Sequence, residues 1–186
     1  MTRRYWFPKH YADEVQRVRV PMGFVMVAAF AWLSSPTRIS LIAGAPLCVL
    51  GLLIRAWAAG HLAKNESLAV SGPYSYIRNP LYVGTLLAAL GLVIGSREIW
   101  LAALFAFVFL LVYLPAIELE EQHLRKLFPE YEAYAERVPL LAPRGKRIQS
   151  AVWFSFRLYL RNREYQAALG LAAGALFLCF KAGIVP

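Results

Sequence analysis

Between Ser71 and Gly84 the chain reads SGPYSYIRNPLYVG, which sets a Gly-Pro turn, three tyrosines (Tyr74, Tyr76, Tyr82), Arg78 and Pro80 at the head of an apolar run lasting to Gly95. A second polar group follows in ELEEQHLRKLFPEYEAYAERV, with Glu118, Glu120 and Glu121 ahead of Tyr131 and Tyr134. A guanidinium and carboxylates can hold the two ends of a zwitterion through charge-assisted hydrogen bonds. Tyrosine faces attract cations, and a turn fixed by glycine and proline lets backbone groups approach a ligand. The same residues also have a purely structural reading, an ion pair that pins two helices together. From residue types alone both readings stand.

The elements that must position these groups are membrane helices. A content of 59% hydrophobic residues in 186 and a mean hydropathy of +0.49 exceed what one soluble core of this size needs. Against a hydrocarbon core about 30 Å thick, the apolar stretches are roughly Val20 to Leu33, Ile39 to Gly60, Leu81 to Gly95, Ile99 to Ile117 and Tyr165 to Val185. The expected fold is all-α: a single-domain integral membrane bundle of about five transmembrane helices over 1–186, with a cytoplasmic helical elaboration. The first and third stretches are short, so each must borrow flanking residues, tilt little or sit where the bilayer thins. The first is not expected to be a cleaved signal, because a long, mostly polar arm precedes it and no small-residue cleavage site follows. The N-terminus is therefore expected to be retained.

Basic residues predict the orientation. Arg3, Arg4, Lys9, Arg17, Arg19, Lys64, Arg78 and the nine from Arg125 to Arg163 fall on one side, and Arg38, Arg97 and Lys181 on the other. The N-terminus and the polar motifs are accordingly expected on the cytoplasmic side. The net charge of +9 reads as attraction to anionic headgroups, about 1 kcal/mol per residue near the surface. Membrane lipids are thus expected partners and nucleic acid is not. Cys48 and Cys179 lie in apolar stretches, and His10, His61 and His123 show no ligand spacing, so no metal site is expected.

The third and fourth stretches are joined only around Ser96, Arg97 and Glu98, which requires an antiparallel hairpin. At 1.5 Å of rise per residue, Arg78, Asn79 and Tyr82 return to the depth of Glu118, Glu120 and Glu121, where buried charges need partners. Pro129 interrupts the helix that carries the acids, and Tyr131 and Tyr134 share one face of a short helix beyond it. Residues 150–163 combine Trp153, Phe154, Phe156, Leu158 and Tyr159 with Arg157, Arg161 and Arg163. That is the composition of an amphipathic interfacial helix, either a connector resting on headgroups or a wall beside a lipid entry. Gly170 and Gly174 form a G-x-x-x-G pair, a weak dimer signal that leaves the oligomeric state unread.

The two motifs resemble the isoprenylcysteine carboxyl methyltransferase and phospholipid methyltransferase superfamily of membrane enzymes, whose first motif is approximately G-x-Y-x-x-x-R-H-P-x-Y-x-G. Gly72, Tyr74, Arg78, Pro80, Tyr82 and Gly84 match it. Glu120, Glu121, Leu124, Phe128, Tyr131 and Tyr134 match the second, E-E-x-x-L-x-x-x-F-G-x-x-Y-x-x-Y, which a V-P follows. The resemblance covers roughly Arg55 to Arg144. Two positions depart from it: Asn79 stands where the family usually has His, and Pro129 where it usually has Gly, with Tyr131 one residue nearer. An amide can exchange hydrogen bonds but cannot take up a proton near neutral pH.

The resemblance implies an S-adenosylmethionine pocket on the cytoplasmic side and methyl transfer to a lipophilic or amphiphilic acceptor. An isoprenylcysteine-like carboxylate, a phospholipid amine and a small lipophilic molecule all remain open. For the cofactor's methionine end, Arg78 or Lys64 suits the carboxylate and Glu120 or Glu121 the ammonium. Tyr74, Tyr76 or Tyr82 suits the sulfonium. Asn79 and Pro80 belong to the same motif, Gly72 and Pro73 set its turn, and Tyr131, Val138 and the Pro139 to Leu141 loop offer an apolar slot for adenine. For catalysis, Arg55 could position an anionic acceptor or merely snorkel to the interface, and Glu121 could deprotonate an amine. A membrane reductase holding NADPH and a non-catalytic scaffold are the competing classes.

Overall fold

The computed structural model describes residues 7–143 and 152–184, and every regular element among them is helical. Arg3, Arg4, Arg144, Lys146, Arg147, the first two residues of the predicted interfacial helix and Val185 lie outside the described residues. Helix α1 spans Lys9–Leu33, so it continues beyond the first apolar stretch on its N-terminal side. Helix α2 spans Arg38–Ala59 and opens on a reciprocal capping box between Thr37 and Ser40. A single 3₁₀ turn, Gly72–Ser75, precedes α3, Pro80–Ser96. Proline is well suited to begin α3, because the first-turn N–H it lacks would have no intrahelical partner.

Helix α4 runs over Ile99–Leu127, followed by α5 (Tyr131–Arg137), α6 (Phe156–Arg161) and α7 (Tyr165–Lys181). The amphipathic segment is thus helical over a shorter stretch than the sequence suggests. Residues 152–155 lie outside any helix, and the Ser155 N–H bonds to Gly60 O at 2.9 Å while Phe154 packs over Gly60 and the His61 ring. Docking onto the end of α2 competes with continued helix in that segment.

Two helices, α2 and α4, are long and apolar enough to cross a membrane, and Val20–Leu33, Pro80–Ser96 and Tyr165–Lys181 are shorter apolar helices. Only 17% and 28% of the most apolar windows of α2 and α4 are buried within the protein, whereas the core helix of a soluble protein would be mostly covered. Trp32, Ile39, Ile42 and Phe24 likewise face outward.

α2 and α3 make the most extensive helix contact. Their backbones meet directly: a Cβ on Gly44 would sit 2.1 Å from Gly91 O, and one on Gly51 2.4 Å from Gly84 O. Such contact between small residues is how apolar helices associate where lipid removes the hydrophobic drive. α3 and α4 form the antiparallel hairpin that the short link requires, turning through Arg97 in the left-handed region (φ 59°).

Within α4, residues Phe109–Tyr113 form a π turn, with Leu114 N–H bonding to Phe109 O. Pro115, two residues past that turn, has no N–H to offer Leu111 O. The Tyr11 hydroxyl of α1 supplies the missing bond, donating to Leu111 O at 2.6 Å. This irregularity sets the phase at which the acidic end of α4 leaves the bundle.

Candidate active site

The hairpin returns Arg78 to the acids as the spacing requires. Arg78 Nε lies 2.7 Å from Glu121 Oε1, and Nη2 donates to Oε2 at 3.3 Å. Nη1 donates to Ala135 O at 2.8 Å, which brings α5 into the same knot. The two side chains are only 9% and 11% exposed, so each neutralises a charge that could not otherwise remain there. Asn79 Nδ2 donates to Glu121 Oε1 at 3.4 Å, and Arg125 stands 3.9 Å from Oε2. Asn79, at the family's usual histidine position, acts here as an amide donor to a carboxylate.

Neighbouring acids take other roles because successive helical residues point in different directions. Glu120 accepts from the Tyr82 hydroxyl at 3.1 Å, and Glu118 accepts from the Phe7 N–H at 3.2 Å. Among the described residues neither Glu120 nor Lys64 forms an ion pair.

A cavity of about 440 Å³ opens beside this knot. Of the residues expected at a cofactor site, Lys64, Tyr74, Arg78, Asn79, Pro80, Tyr82, Glu120 and Tyr131 line it, joined by Gln16 of α1 and His123 of α4. The others do not line it. Gly72 holds φ +56°, and a Cβ there would reach within 2.5 Å of the His61 ring. Pro73 is buried in the turn, and Tyr76 packs against Trp57. The Pro139 to Leu141 loop acts through its backbone: Arg78 N–H bonds to Pro139 O at 2.9 Å and Asn79 N–H to Leu140 O at 3.2 Å. Val138 is buried with Phe128, Tyr131, Tyr134 and Ala135.

The tyrosines are held neutral. Burial pushes the Tyr74, Tyr131 and Tyr134 phenols up, and the nearby carboxylates of Glu120 and Glu121 add to the rise. Tyr134 donates to Tyr74 O at 2.8 Å. The buried Tyr131 hydroxyl lies beside Glu121 without a well-formed hydrogen bond, which leaves a polar atom at the cavity wall in want of a partner. Burial also lowers the His61 pKa, and its Nδ1 lies 2.9 Å from Ser71 Oγ.

Arg55 does not join this cluster. Its Nε lies 2.5 Å from Glu164 Oε1 and its Nη1 2.5 Å from Thr85 Oγ1, with Leu81 O at 3.4 Å. Neither snorkelling nor free presentation to an anion describes it. Glu164, immediately before α7, is 9% exposed and was not among the residues singled out from sequence. The available signal was Arg55 itself, since a charge inside a span implies a partner somewhere in the bundle.

The segment that carries both motifs is also the segment that matches known proteins. A family model described as phospholipid methyltransferase matches residues 39–131, half of the chain. The chain belongs to the phospholipid methyltransferase family.

It is 39% identical over 159 residues to the cobalt-zinc-cadmium resistance protein CzcN of Cupriavidus metallidurans, covering 81% of this chain and 72% of that protein. It is 35% identical over 136 residues to the nickel-cobalt-cadmium resistance protein NccN of Alcaligenes xylosoxydans xylosoxydans, covering 68% and 62%. To phosphatidylethanolamine N-methyltransferase B of Dictyostelium discoideum it is 28% identical over 107 residues, covering 50% and 52%. The chain spans less than two thirds of the length of the latter two. No solved structure matches it. Family membership and the apolar helices make this a membrane protein with a methyltransferase domain, and the family's chemistry points to a lipid-related substrate. Among the described residues, no three His, Cys, Asp or Glu side chains come together as a metal site.

Proposed function

We propose that the protein is an S-adenosylmethionine-dependent methyltransferase that methylates the amine of a lipophilic or amphiphilic acceptor at the cytoplasmic face of the membrane. The observation that carries this reading is the separation of charges around the cavity. Arg78 and Glu121 pair with each other, whereas Lys64 and Glu120 line the same space without an ion pair among the described residues. A cation and an anion so placed suit the carboxylate and ammonium of an amino-acid end. The cavity volume is that of a cofactor-sized site, and its Tyr74, Tyr82 and Tyr131 walls suit a sulfonium and an adenine ring. The unpartnered Tyr131 hydroxyl is a donor or acceptor ready for a polar edge.

When bound, S-adenosylmethionine supplies a methyl group on a cationic sulfur. The acceptor's amine would take that methyl as its free base, with an uncharged thioether and one proton, lost to the aqueous side, as the other products. The chain's part is alignment and exclusion of solvent. Arg78 and Glu121 are positioning residues on this reading: they lock α3, α4 and α5 so that Lys64, Glu120 and Tyr82 face one space. An amine is favoured over a carboxylate because Arg55, the cation within α2, is already paired with Glu164.

Calorimetric titration of the detergent-solubilised protein with S-adenosylhomocysteine, with NADPH in parallel, tests the assignment. Saturable binding of the former alone is expected. Binding of NADPH alone would overturn it in favour of a reductase.

A further inference from the structure

Lys64 reaches the polar cavity from a tight turn. The Glu66 N–H bonds to Ala63 O at 3.1 Å, and Asn65 holds φ 62° at the third position of that turn, where asparagine tolerates the left-handed region. Leu62, Lys64, Asn65, Ser67, Leu68 and Ala69 all line the cavity. The far limb of this loop is held by packing, with Leu68 and Val70 against the cluster of Phe128, Tyr131 and Tyr134. The turn itself is held by a segment 100 residues further along the chain.

The junction between α6 and α7 grips both sides of the turn. Asn162 Nδ2 donates to Leu62 O at 2.8 Å and to Ala59 O at 2.9 Å, which engages both amide hydrogens. Two carbonyl partners also settle which way the amide faces. Arg161, the preceding residue, pairs with Glu66. Leu62 and Glu66 stand two residues to either side of Lys64. The junction is anchored in its turn. Arg163 takes the left-handed conformation (φ 54°), its N–H bonds to Leu160 O at 3.0 Å, and the Glu164 N–H bonds to Tyr159 O at 3.4 Å, which is the closure of a Schellman motif. Glu164 then meets Arg55 of α2, and the Ser155 N–H ties the start of α6 to Gly60 O.

We infer that Asn162, seconded by Arg161, is a positioning residue for the ligand of the polar cavity: it holds the turn that presents Lys64. The inference rests on the methyltransferase reading above for the identity of that ligand, whose carboxylate Lys64 would meet. Asn162 is the stronger hold because its two bonds are part-buried. Arg161 and Glu66 are 56% and 54% exposed, and such pairs are screened by solvent. A residue that acts through Lys64 cannot matter more than Lys64 itself, and its effect must vanish once Lys64 is gone.

Full-length protein in nanodiscs is titrated with S-adenosylhomocysteine, and amide hydrogen exchange is followed by mass spectrometry on the same samples. Asn162→Asp keeps the shape of the side chain but sets a carboxylate against two carbonyl oxygens. It is expected to weaken binding about tenfold and to speed exchange over 62–67 while α4 exchanges as in wild type. In a Lys64→Ala background the same change should alter affinity by less than about twofold. Arg161→Glu should weaken binding about twofold, restored by Glu66→Arg in the same chain. If Asn162→Asp does not fold, Asn162→Ala reads a smaller loss with the same dependence on Lys64. Unchanged affinity in the folded variants would overturn the inference, as would an equal loss with and without Lys64. Failure of wild type to bind S-adenosylhomocysteine would instead strike the functional assignment, and exchange over 62–67 would still decide whether the junction holds the turn.

Discussion

Replacing both partners of the Arg78–Glu121 pair separates its structural role from any cofactor contact. Glu121→Ala alone leaves a guanidinium that is 9% exposed without its carboxylate, and breaking such a buried pair costs about 3–5 kcal/mol. Ala135 O still accepts from Nη1, so the lower part of that range applies, about 3 kcal/mol. For a chain of this length that corresponds to a fall in unfolding temperature on the order of 10 °C. Arg78→Met leaves Glu121 with Asn79 and the more distant Arg125, and a comparable loss is expected.

Exchanging both for apolar residues of similar volume, Arg78→Met with Glu121→Leu, removes the charges together and is expected to recover most of the stability. With Glu121→Leu also as the single acid variant, single losses of about 3 kcal/mol each and a residual loss of about 1 kcal/mol in the double variant put the coupling in the double-mutant cycle at about 5 kcal/mol. Thermal unfolding followed by circular dichroism gives the stabilities, and titration with S-adenosylhomocysteine gives the affinities on the same preparations. With Arg78 as a positioning residue, the double variant binds within about tenfold of wild type. Coupling below about 0.5 kcal/mol would refute the energetic argument. A stable double variant with no cofactor affinity would show that Arg78 or Glu121 touches the ligand.

Lys64 and Glu120 should behave in the opposite way: Lys64→Ala and Glu120→Gln are each expected to weaken S-adenosylhomocysteine about 10- to 100-fold by calorimetry, with little change in unfolding temperature. Tyr11→Phe removes the donor to Leu111 O and should cost about 1 kcal/mol in thermal or denaturant unfolding, leaving ligand affinity intact. For His61, whose pKa burial lowers, the unfolded chain binds the proton more readily. Stability should therefore fall as pH drops below about 6.5 and level off below the folded-state pKa, and His61→Phe should flatten that slope in a series of unfolding curves. Gly72→Ala should lower the unfolding temperature by several degrees, since it forces a side chain into φ +56° and against the His61 ring.

The polar knot was legible because chain length constrained it: a two-residue link between α3 and α4 leaves Arg78 little choice of depth. The sequence could not say which of two adjacent acids would meet it. Glu120 and Glu121 are separated by one step of a helix whose phase depends on the π turn at Phe109–Tyr113, and no residue pattern announces that turn except Pro115. Glu164 was hidden for a different reason. Its partner Arg55 is 109 residues away, and the two meet only once α7 lies beside α2. Gly170 and Gly174 of α7 show a further limit: a Cβ added at either meets nothing within 4 Å, and spacing alone cannot distinguish a surface that touches another helix from one that borders open space.

The π turn carries one further consequence. A π turn closes its bonds five residues apart instead of four, so it carries one residue more than the α turn it replaces. The acidic end of α4 therefore stands about 100° behind the phase that an unbroken α-helix through the same residues would give it. Deleting a single residue within Phe109–Tyr113 would restore an ordinary ladder and leave Glu121 close to its present face, whereas drawing the same residues into an unbroken α-helix would set a different side chain against Arg78. For this stretch of α4 the loss of one residue should therefore be tolerated more readily than a change that abolishes the turn at full length.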